Sequence, residues 1–573
     1  MPRYPKTLLL SALVVVALSA TLLTLLLAFS CTVAREAEEL EEPPAPPQAV
    51  ILPPPPGTVP APKMAQLRTL GYAGGNEAGG PTGAEPIALD AQAEQEMNTE
   101  EYGRIADNPF LDTVHNPLST FSIDVDRASY SNVRRFLTAQ QRPPRDAVRI
   151  EEMVNYFSYD YPDPSASQPF SVTTEIASCP WNDKNRLLLI GLQGRRIDTA
   201  DLPPGNLVFL LDVSGSMMEP NKLPLVKDAM HLLVDQLRPQ DRVAIVTYAG
   251  NAGLVLPSTD GGEKGRIHAA IEQLEAGGST AGGEGIVLAY KVAQESFLEG
   301  GNNRVILATD GDFNVGVSSD GELERLIEEK RRSRISLSVV GFGTGNLQDS
   351  KMEMLADKGN GNYAYIDSMS EARKVFGREL GATLFTIAKD VKLQIEFNPT
   401  KVRAYRLIGY ENRLLRAEDF HDDAKDAGEM GAGHSVTALY ELVPPDSDQA
   451  LPRVDPLKYQ KTTVPESAGT SPELLTLKLR YKEPDEELSR LLTQPVLDAT
   501  TPIAAASENL RFAAAVAELG LLLRESPHKG AASYDQVAEM ASQALGGDRE
   551  GDRAEFLQLV NAASRLAPQE REN

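Results

Sequence analysis

Five oxygen-bearing side chains in the middle of the sequence have the types and spacing that a hard metal ion needs. They are Asp212, Ser214, Ser216, Thr280 and Asp310. The first three form a D-x-S-x-S run, and no His or Cys lies in the same stretches. Carboxylate and hydroxyl oxygens suit Mg²⁺, Mn²⁺ or Ca²⁺ rather than zinc. The pattern therefore predicts a divalent-cation site, with Mg²⁺ as the preferred ion.

The segments around these residues are predicted to be strands alternating with helices. Apolar runs typical of strands covered on both faces occur at residues 207–211, 242–248, 304–308 and 335–340. Their alternation with amphipathic segments over residues 203–388 predicts an α/β domain with a doubly wound parallel sheet. Asp212 and Asp310 each follow a strand. Because ligands of open α/β sheets bind at the carboxyl ends of the strands, both are expected at one sheet edge.

This pattern resembles the metal-ion-dependent adhesion site (MIDAS) of von Willebrand factor type A (VWA) domains, which have a Rossmann-like fold. The resemblance implies that the hydroxyls of Ser214, Ser216 and Thr280 bind the ion directly. The carboxylates of Asp212 and Asp310 would act largely through water. It also implies a protein partner, whose Asp or Glu carboxylate would complete the coordination. The alternative, that these Ser and Asp residues only cap turns, does not explain why all five would gather at one edge.

The same stretches contain no arrangement suited to catalysis. None of the six His residues lies in these loops, so a nucleophile with an adjacent base is not evident. The sequence therefore favours a non-enzymatic binding protein. Two alternatives stay open: an envelope structural or assembly protein in which the metal only stabilises the VWA fold, and a metal-dependent hydrolase.

The N-terminus is predicted to direct export and anchor the chain in a membrane. Arg3 and Lys6 precede an uncharged, largely apolar run over residues 7–29. Cys31 follows, and its setting resembles the lipidation site of bacterial lipoproteins, so residues 1–31 are read as a signal peptide or anchor. The run is also long enough for an uncleaved transmembrane helix. Either anchor places the rest of the chain outside the cytoplasm, in the cell envelope.

Regions on both sides of the α/β domain complete the predicted organisation. Residues 32–99, rich in Glu, Pro and Gly, are expected to be a disordered spacer. Residues 100–199 predict a small mixed α+β domain, and residues 389–573 a β unit followed by helices. Phe121-Ser-Ile-Asp-Val and Cys179-Pro-Trp-Asn resemble the N-terminal domain of VWA-containing bacterial envelope proteins. The last region resembles the C-terminal domain of unknown function in that family.

Composition and weaker motifs exclude several other functions. With 56 Lys and Arg against 81 Asp and Glu, the 573-residue chain has a formal net charge of −25, which disfavours nucleic-acid binding. The Asp124-Val-Asp126 pair is interpreted as a helix cap at Asp126 rather than a phosphotransfer site. The Gly341-x-Gly343-x-Gly345 run is interpreted as a loop, because the dinucleotide fingerprint is not met.

Two further predictions concern His and Cys residues outside the predicted site. The stretch containing His421 and His434 is interpreted as a solvated loop in preference to a second metal site. Cys179 is expected to be buried and inert, since lipidation would occupy Cys31.

Overall fold

The alternation of apolar runs and polar breaks along the chain corresponds to the following strands and helices. A computed structural model describes residues 99–567, except 166, 199, 250–251, 279–281, 312–319, 379–384, 426, 452–457, 460–462 and 485. The described strands are β1 (Leu111–Asp112), β2 (Leu118–Ser122), β3 (Phe170–Cys179), β4 (Asn182–Gly194), β5 (Gly205–Asp212), β6 (Arg242–Tyr248), β7 (Ala252–Asp260), β8 (Asn302–Thr309), β9 (Ser336–Phe342), β10 (Tyr363–Ile366), β11 (Thr386–Phe397), β12 (Ala404–Ile408), β13 (Gly428–Gly431), β14 (Ser435–Val443), β15 (Glu473–Lys482) and β16 (Arg490–Leu497). The described helices are α1 (Ala128–Thr138), α2 (Ile150–Asn155), α3 (Leu223–Gln236), α4 (Lys264–Glu272), α5 (Gly282–Glu295), α6 (Asp320–Arg331), α7 (Asp349–Lys358), α8 (Met369–Arg373), α9 (Glu466–Thr470), α10 (Glu508–Arg524), α11 (Tyr534–Ser542) and α12 (Asp552–Leu566).

A six-stranded sheet in the order β10-β9-β8-β5-β6-β7 forms the central part of the chain. All neighbouring strands are parallel except β7, which runs antiparallel to β6. Helices α3, α4 and α8 pack on one face, and α5, α6 and α7 pack on the other. Every residue of β5 is buried, as its continuous apolar run requires. The predicted doubly wound α/β fold is confirmed.

Three elements of this sheet region were not predicted from the sequence: β7, β10 and α7. Strand β7 lies at the sheet edge, exposes Leu254 and Val255, and contains Pro257. An edge strand can accept proline because one side of its backbone has no ladder partner, so β7 lacks the apolar run of a central strand. Helix α8 is followed by a π-helical turn, Lys374–Arg378, and the structure describes this segment only to residue 378.

The remaining elements build a two-sheet sandwich covered by helices. One sheet has the order β1-β12-β14-β4-β3, and the other has the order β13-β11-β15-β16, with β2 paired to β11. An apolar core that includes Leu188, Leu393 and Leu477 fills the space between the two sheets. Leu187 and Leu189 of β4 face the opposite way, toward a second core formed with α1, α2, α10, α11 and α12. The first sheet is therefore buried on both faces.

The strands of the segments predicted as separate domains, 100–199 and 389–573, share the two sheets of the sandwich. Leu189 of β4 is paired with Leu439 of β14, and Phe121 of β2 is paired with Leu393 of β11. The strands of the earlier segment have edges that only later strands cover, so the two segments form one body. The VWA-like region, 203–388, is inserted between its halves.

The N-terminal predictions fall on residues that the structure does not describe. The export run, Cys31 and nearly all of the spacer lie before residue 99. Within the described part of the chain, no helix combines the length and apolar character needed to cross a bilayer.

Candidate metal centre

Asp212 is the last residue of β5, and its carboxylate is completely buried at the carboxyl end of the parallel sheet. One oxygen, Oδ1, accepts a hydrogen bond of 2.8 Å from the backbone N–H of Ser214. The other, Oδ2, accepts from the hydroxyls of Tyr248 at 3.2 Å and Thr309 at 3.3 Å. These bonds come from β6, β8 and the following turn, so the carboxylate is held by three parts of the sheet edge.

The loop after β5 presents the two serines together. The hydroxyl oxygens of Ser214 and Ser216 lie 3.0 Å apart, with Ser214 buried and Ser216 exposed to solvent. A single 3₁₀ turn, Gly215–Met218, produces this arrangement, and it is fixed by the completely buried side chain of Met217. Alternate residues of the D-x-S-x-S run thus point to one position, where the outer hydroxyl can reach a ligand.

Two backbone hydrogen bonds connect this loop to the Gly-rich loop that leads to Thr280. The N–H of Gly215 donates to the carbonyl of Gly278 at 3.1 Å, and the N–H of Gly277 donates to the carbonyl of Val213 at 2.7 Å. Thr280 itself lies outside the described residues. The described bonds bring the two loops together as far as Gly278.

Asp310 follows β8, is completely buried, and pairs with a lysine that the sequence did not identify. The Lys222 ammonium donates to Oδ2 of Asp310 at 3.0 Å and to the side-chain oxygen of Asn346 at 3.2 Å. Lys222 is only 3% exposed. Gly343 makes room for it: a Cβ at this glycine would lie 2.4 Å from Cγ of Lys222. Gly341 belongs to β9 rather than to the predicted loop, and Gly343, just after that strand, provides the space for the buried Lys222 side chain.

The electrostatics of Asp212 suit a nearby cation. Burial raises the pKa of Asp212 to about 6, hydrogen bonds from Ser214 lower it, and the negative charge of Asp310 raises it. Since burial penalises the charged carboxylate, a positive charge beside it would stabilise that form. The oxygen donors of Asp212, Ser214, Ser216 and Asp310 are those that a hard divalent ion prefers, so the residues present fit such an ion.

The other candidate groups are used in packing and ion pairs. Asp126 was predicted to cap α1, but it does not: the N-cap residue is Arg127, and no side chain caps the helix. Its carboxylate instead accepts from the backbone N–H of Tyr363 at 2.7 Å and pairs with Arg413 at 3.1 Å. His434 is buried, in contrast to the solvated position predicted for it, whereas His421 contacts Arg480 at 3.1 Å. Within the described ranges, no three His, Cys, Asp or Glu side chains converge on a common metal position. The Cys179 thiol is buried, and burial raises its pKa, which agrees with the expectation of an inert thiol.

The fold and the sheet-edge oxygen cluster define a protein with a VWA domain. The family model described as "von Willebrand factor type A domain" matches residues 206–378. A model described as "von Willebrand factor" matches residues 96–189, and one described as "Uncharacterized protein YfbK, C-terminal" matches residues 382–566. VWA domains commonly mediate protein–protein interactions.

The chain belongs to the YfbK family. It is 44% identical over 490 residues to "Uncharacterized protein YfbK" of Escherichia coli (strain K12), covering 84% of each chain. A Synechocystis protein, "Uncharacterized protein sll0103", is 30% identical over 191 residues, which cover 33% of this chain and 44% of that protein. Human "Inter-alpha-trypsin inhibitor heavy chain H4" is 30% identical over 150 residues, covering 24% of this chain and 16% of that protein.

Two solved structures also resemble the chain. "von Willebrand factor type A from Catenulispora acidiphila" has a TM-score of 0.39 at 16% identity, covering 67% of this chain and 89% of that one. The "conserved hypothetical protein BatB from Bacteroides thetaiotaomicron" has a TM-score of 0.27 at 23% identity, covering 31% and 97%. Neither likeness bears on function.

Proposed function

We propose that this chain is a non-enzymatic, membrane-tethered protein of the cell envelope that binds a protein partner through a divalent cation. Mg²⁺ is the preferred ion, and Mn²⁺ or Ca²⁺ would suit the same oxygen donors. The hydroxyls of Ser214, Ser216 and Thr280 would hold the ion directly, while Asp212 and Asp310 would act through water. The observation that supports this best is the gathering of Asp212, the two serines and Asp310 at one edge of the parallel sheet.

The charges around this edge favour an acidic ligand group. Asp212 and Asp310 together would neutralise a divalent ion, and the buried ammonium of Lys222 adds one positive charge. The occupied site would therefore carry a positive excess on a chain whose formal net charge is −25. Repulsion from the rest of the surface would make carboxylate binding local to the ion. An Asp or Glu of the partner has the charge and the oxygen donor that the ion needs.

A binding role is favoured over catalysis by what surrounds the carboxylates. The side chains that bond to Asp212 include those of Ser214, Tyr248 and Thr309, and Lys222 bonds to Asp310. Burial and the neighbouring Asp212 charge raise the pKa of Tyr248 well above its ordinary value, so this hydroxyl is a poor base at neutral pH.

Replacing Asp212 with Ala tests the proposal. We expect the D212A variant to lose Mg²⁺ binding in calorimetry and to lose metal-dependent capture of envelope proteins after crosslinking, as EDTA would do to the wild type. D228A is a matched control, since Asp228 lies on the exposed face of α3 in the same domain. Capture that persists in D212A and in EDTA would contradict the proposed function.

The alternative, a structural role in which the metal only stabilises the domain, predicts a different result. Metal removal would then lower the melting temperature while leaving crosslinked capture unchanged. Measuring both quantities on the same wild-type and D212A samples separates the two roles. The binding role is favoured because Ser216 is exposed, so one donor of the cluster faces the solvent where a partner would approach.

Tethering is proposed through a lipid on Cys31 and is tested separately from the metal site. Metabolic labelling with a palmitate analogue should mark the wild-type chain, and the C31S variant should lose the label. If C31S remains in the membrane fraction without label, an uncleaved transmembrane anchor explains the tether. Recovery of both chains in the soluble fraction would contradict any anchor.

A further inference from the structure

A pair of antiparallel helices on one side of the VWA domain carries two facing histidines. Helices α3 and α4 are joined at both ends by lysine side chains. Lys227, near the start of α3, donates to the backbone carbonyl of Glu272 at 3.0 Å. Lys264, at the start of α4, donates to the backbone carbonyl of Asp235 at 2.6 Å. These two clamps hold the helices in register midway, where His231 faces His268.

The two imidazole rings approach each other closely. Nδ1 of His231 lies 2.5 Å from Nδ1 of His268, and the ring centroids are 4.7 Å apart. The outer nitrogens contact carboxylates: Nε2 of His231 lies 3.0 Å from Glu272, and Nε2 of His268 lies 3.2 Å from Asp235. Each carboxylate lies one turn after the histidine of its own helix and contacts the histidine of the other helix. The arrangement is therefore nearly two-fold symmetric.

The carboxylates determine which ring nitrogens carry protons. An ionised carboxylate only accepts hydrogen bonds, so Nε2 of each histidine must donate to its carboxylate. A neutral imidazole protonated at Nε2 has a lone pair at Nδ1. When both rings are neutral, the two Nδ1 lone pairs point at each other across 2.5 Å, and a shared proton or a metal ion between them would relieve their repulsion.

We infer that His231 and His268 form a binding site for a transition-metal ion of the zinc class. Imidazole nitrogens suit Zn²⁺, Cu²⁺ or Ni²⁺, and metal-bound histidines usually donate their other N–H to a carboxylate, as both rings do here. Zn–N distances of about 2.1 Å place two nitrogens of a tetrahedral ion roughly 3.4 Å apart. The rings would therefore separate by about 1 Å, which is feasible because both side chains are partly exposed, at 24% and 29%.

The ion would take two protein nitrogens, with water in the remaining positions. Among the described residues no third His, Cys, Asp or Glu side chain converges on this point, so the protein would supply only the two nitrogens. Glu272 and Asp235 contact the outer nitrogens and would orient the two rings. Both carboxylates are largely exposed, so they would not enclose the metal. The site is separate from the oxygen cluster at Asp212, and its nitrogen donors select a different class of metal.

Zinc titration of the full, detergent-solubilised chain tests this site. The D212A background removes any contribution from the oxygen cluster. After EDTA treatment and dialysis, we expect one Zn²⁺ to bind per chain and to raise the melting temperature. H231A and H268A should each weaken zinc binding at least tenfold and abolish the temperature shift. H115A is the matched control, since His115 also contacts a carboxylate, Asp112 at 2.6 Å, but faces no second histidine.

A direct measurement keeps the inference testable should a variant fold poorly. In the chain labelled with ¹⁵N-histidine, zinc should shift the Nδ1 resonances of His231 and His268 and leave their Nε2 resonances in the protonated range. Equal zinc affinity in wild type, H231A and H268A would overturn the inference. So would an absence of zinc-dependent shifts at Nδ1, which would mean that only a shared proton occupies the gap.

Discussion

At the scale of single residues, Lys222 changes the electrostatics of the oxygen cluster most. Its ammonium is buried against Asp310, and Gly343 leaves the space through which its stem passes. A buried charge is costly unless it is paired, so Lys222 and Asp310 depend on each other in the absence of a metal. A cation bound near Asp310 would take over part of that role.

Replacing Lys222 with Met tests this dependence. Met has an unbranched side chain that fits the space beside Gly343, but it removes the ammonium group that pairs with Asp310. We expect K222M to lose about 3–5 kcal/mol of unfolding free energy in EDTA, and markedly less in saturating Mg²⁺. Urea denaturation under both conditions measures the difference. K291M is the control, because Lys291 is an exposed lysine on α5. An equal loss with and without Mg²⁺ would show that the ion does not reach Asp310.

At the scale of elements, the sequence predicted what depends on local pattern. Buried parallel strands such as β5 appear as continuous apolar runs, so the sheet and the position of Asp212 after β5 could be predicted. Edge strand β7 could not, because its side chains are partly exposed and include Pro257. A motif of fixed spacing also identified Ser214 and Ser216, since one turn sets their separation.

The features that escaped prediction depend on contacts between distant segments. A lysine just before a helix is usually exposed, and only the loop containing Gly343 buries Lys222. The pairing of β4 with β14 is equally invisible to local pattern, since an antiparallel strand shows which face is buried but not which strand lies beside it. The facing pair His231 and His268 likewise requires knowing that α3 and α4 are neighbours.

At the scale of the whole molecule, buried ion pairs join the VWA domain to the sandwich. Helix α7 presents an acidic residue at each of three successive turns, namely Asp349, Glu353 and Asp357. Arg149 of the sandwich side pairs with the first two, and Arg413 pairs with the last two. Carboxylates outnumber the two arginines here, because the same arginines also pair with further acids, Asp124, Asp126 and Glu152.

This excess makes the stability of the molecule sensitive to pH. Burial raises the pKa of Glu353 to about 7 from its ordinary 4.5, and it also raises the pKa of Asp126, Glu152 and Asp357. At these carboxyls the folded chain therefore binds more protons than the unfolded chain between pH 4.5 and about 7. The contribution of these carboxyls to stability therefore falls as the pH rises through this window.

The E353Q variant measures the contribution of one of these carboxyls. Gln keeps an acceptor for Arg149 but does not ionise. Between pH 5 and pH 8, we therefore expect the unfolding free energy of E353Q to change by about 1–3 kcal/mol less than that of the wild type. Urea denaturation across that range gives the dependence of the unfolding free energy on pH. E329Q serves as a control, since Glu329 is exposed on α6. A wild-type slope retained in E353Q would exclude Glu353 as a source of the pH dependence.

The insertion of the VWA domain between the halves of the sandwich has a consequence for the order in which the chain is made. Strands β5 to β10 lie close together in sequence, so their sheet can close as soon as residue 366 has been synthesised. The β3–β4 hairpin is made earlier, yet the partner of β4 is β14, which is synthesised only after the entire VWA domain. Throughout that interval β4 has an uncovered, strongly apolar edge of the kind that pairs with other chains. We therefore expect the growing chain to be most prone to aggregate during this stage of synthesis, which ends when β14 pairs with β4.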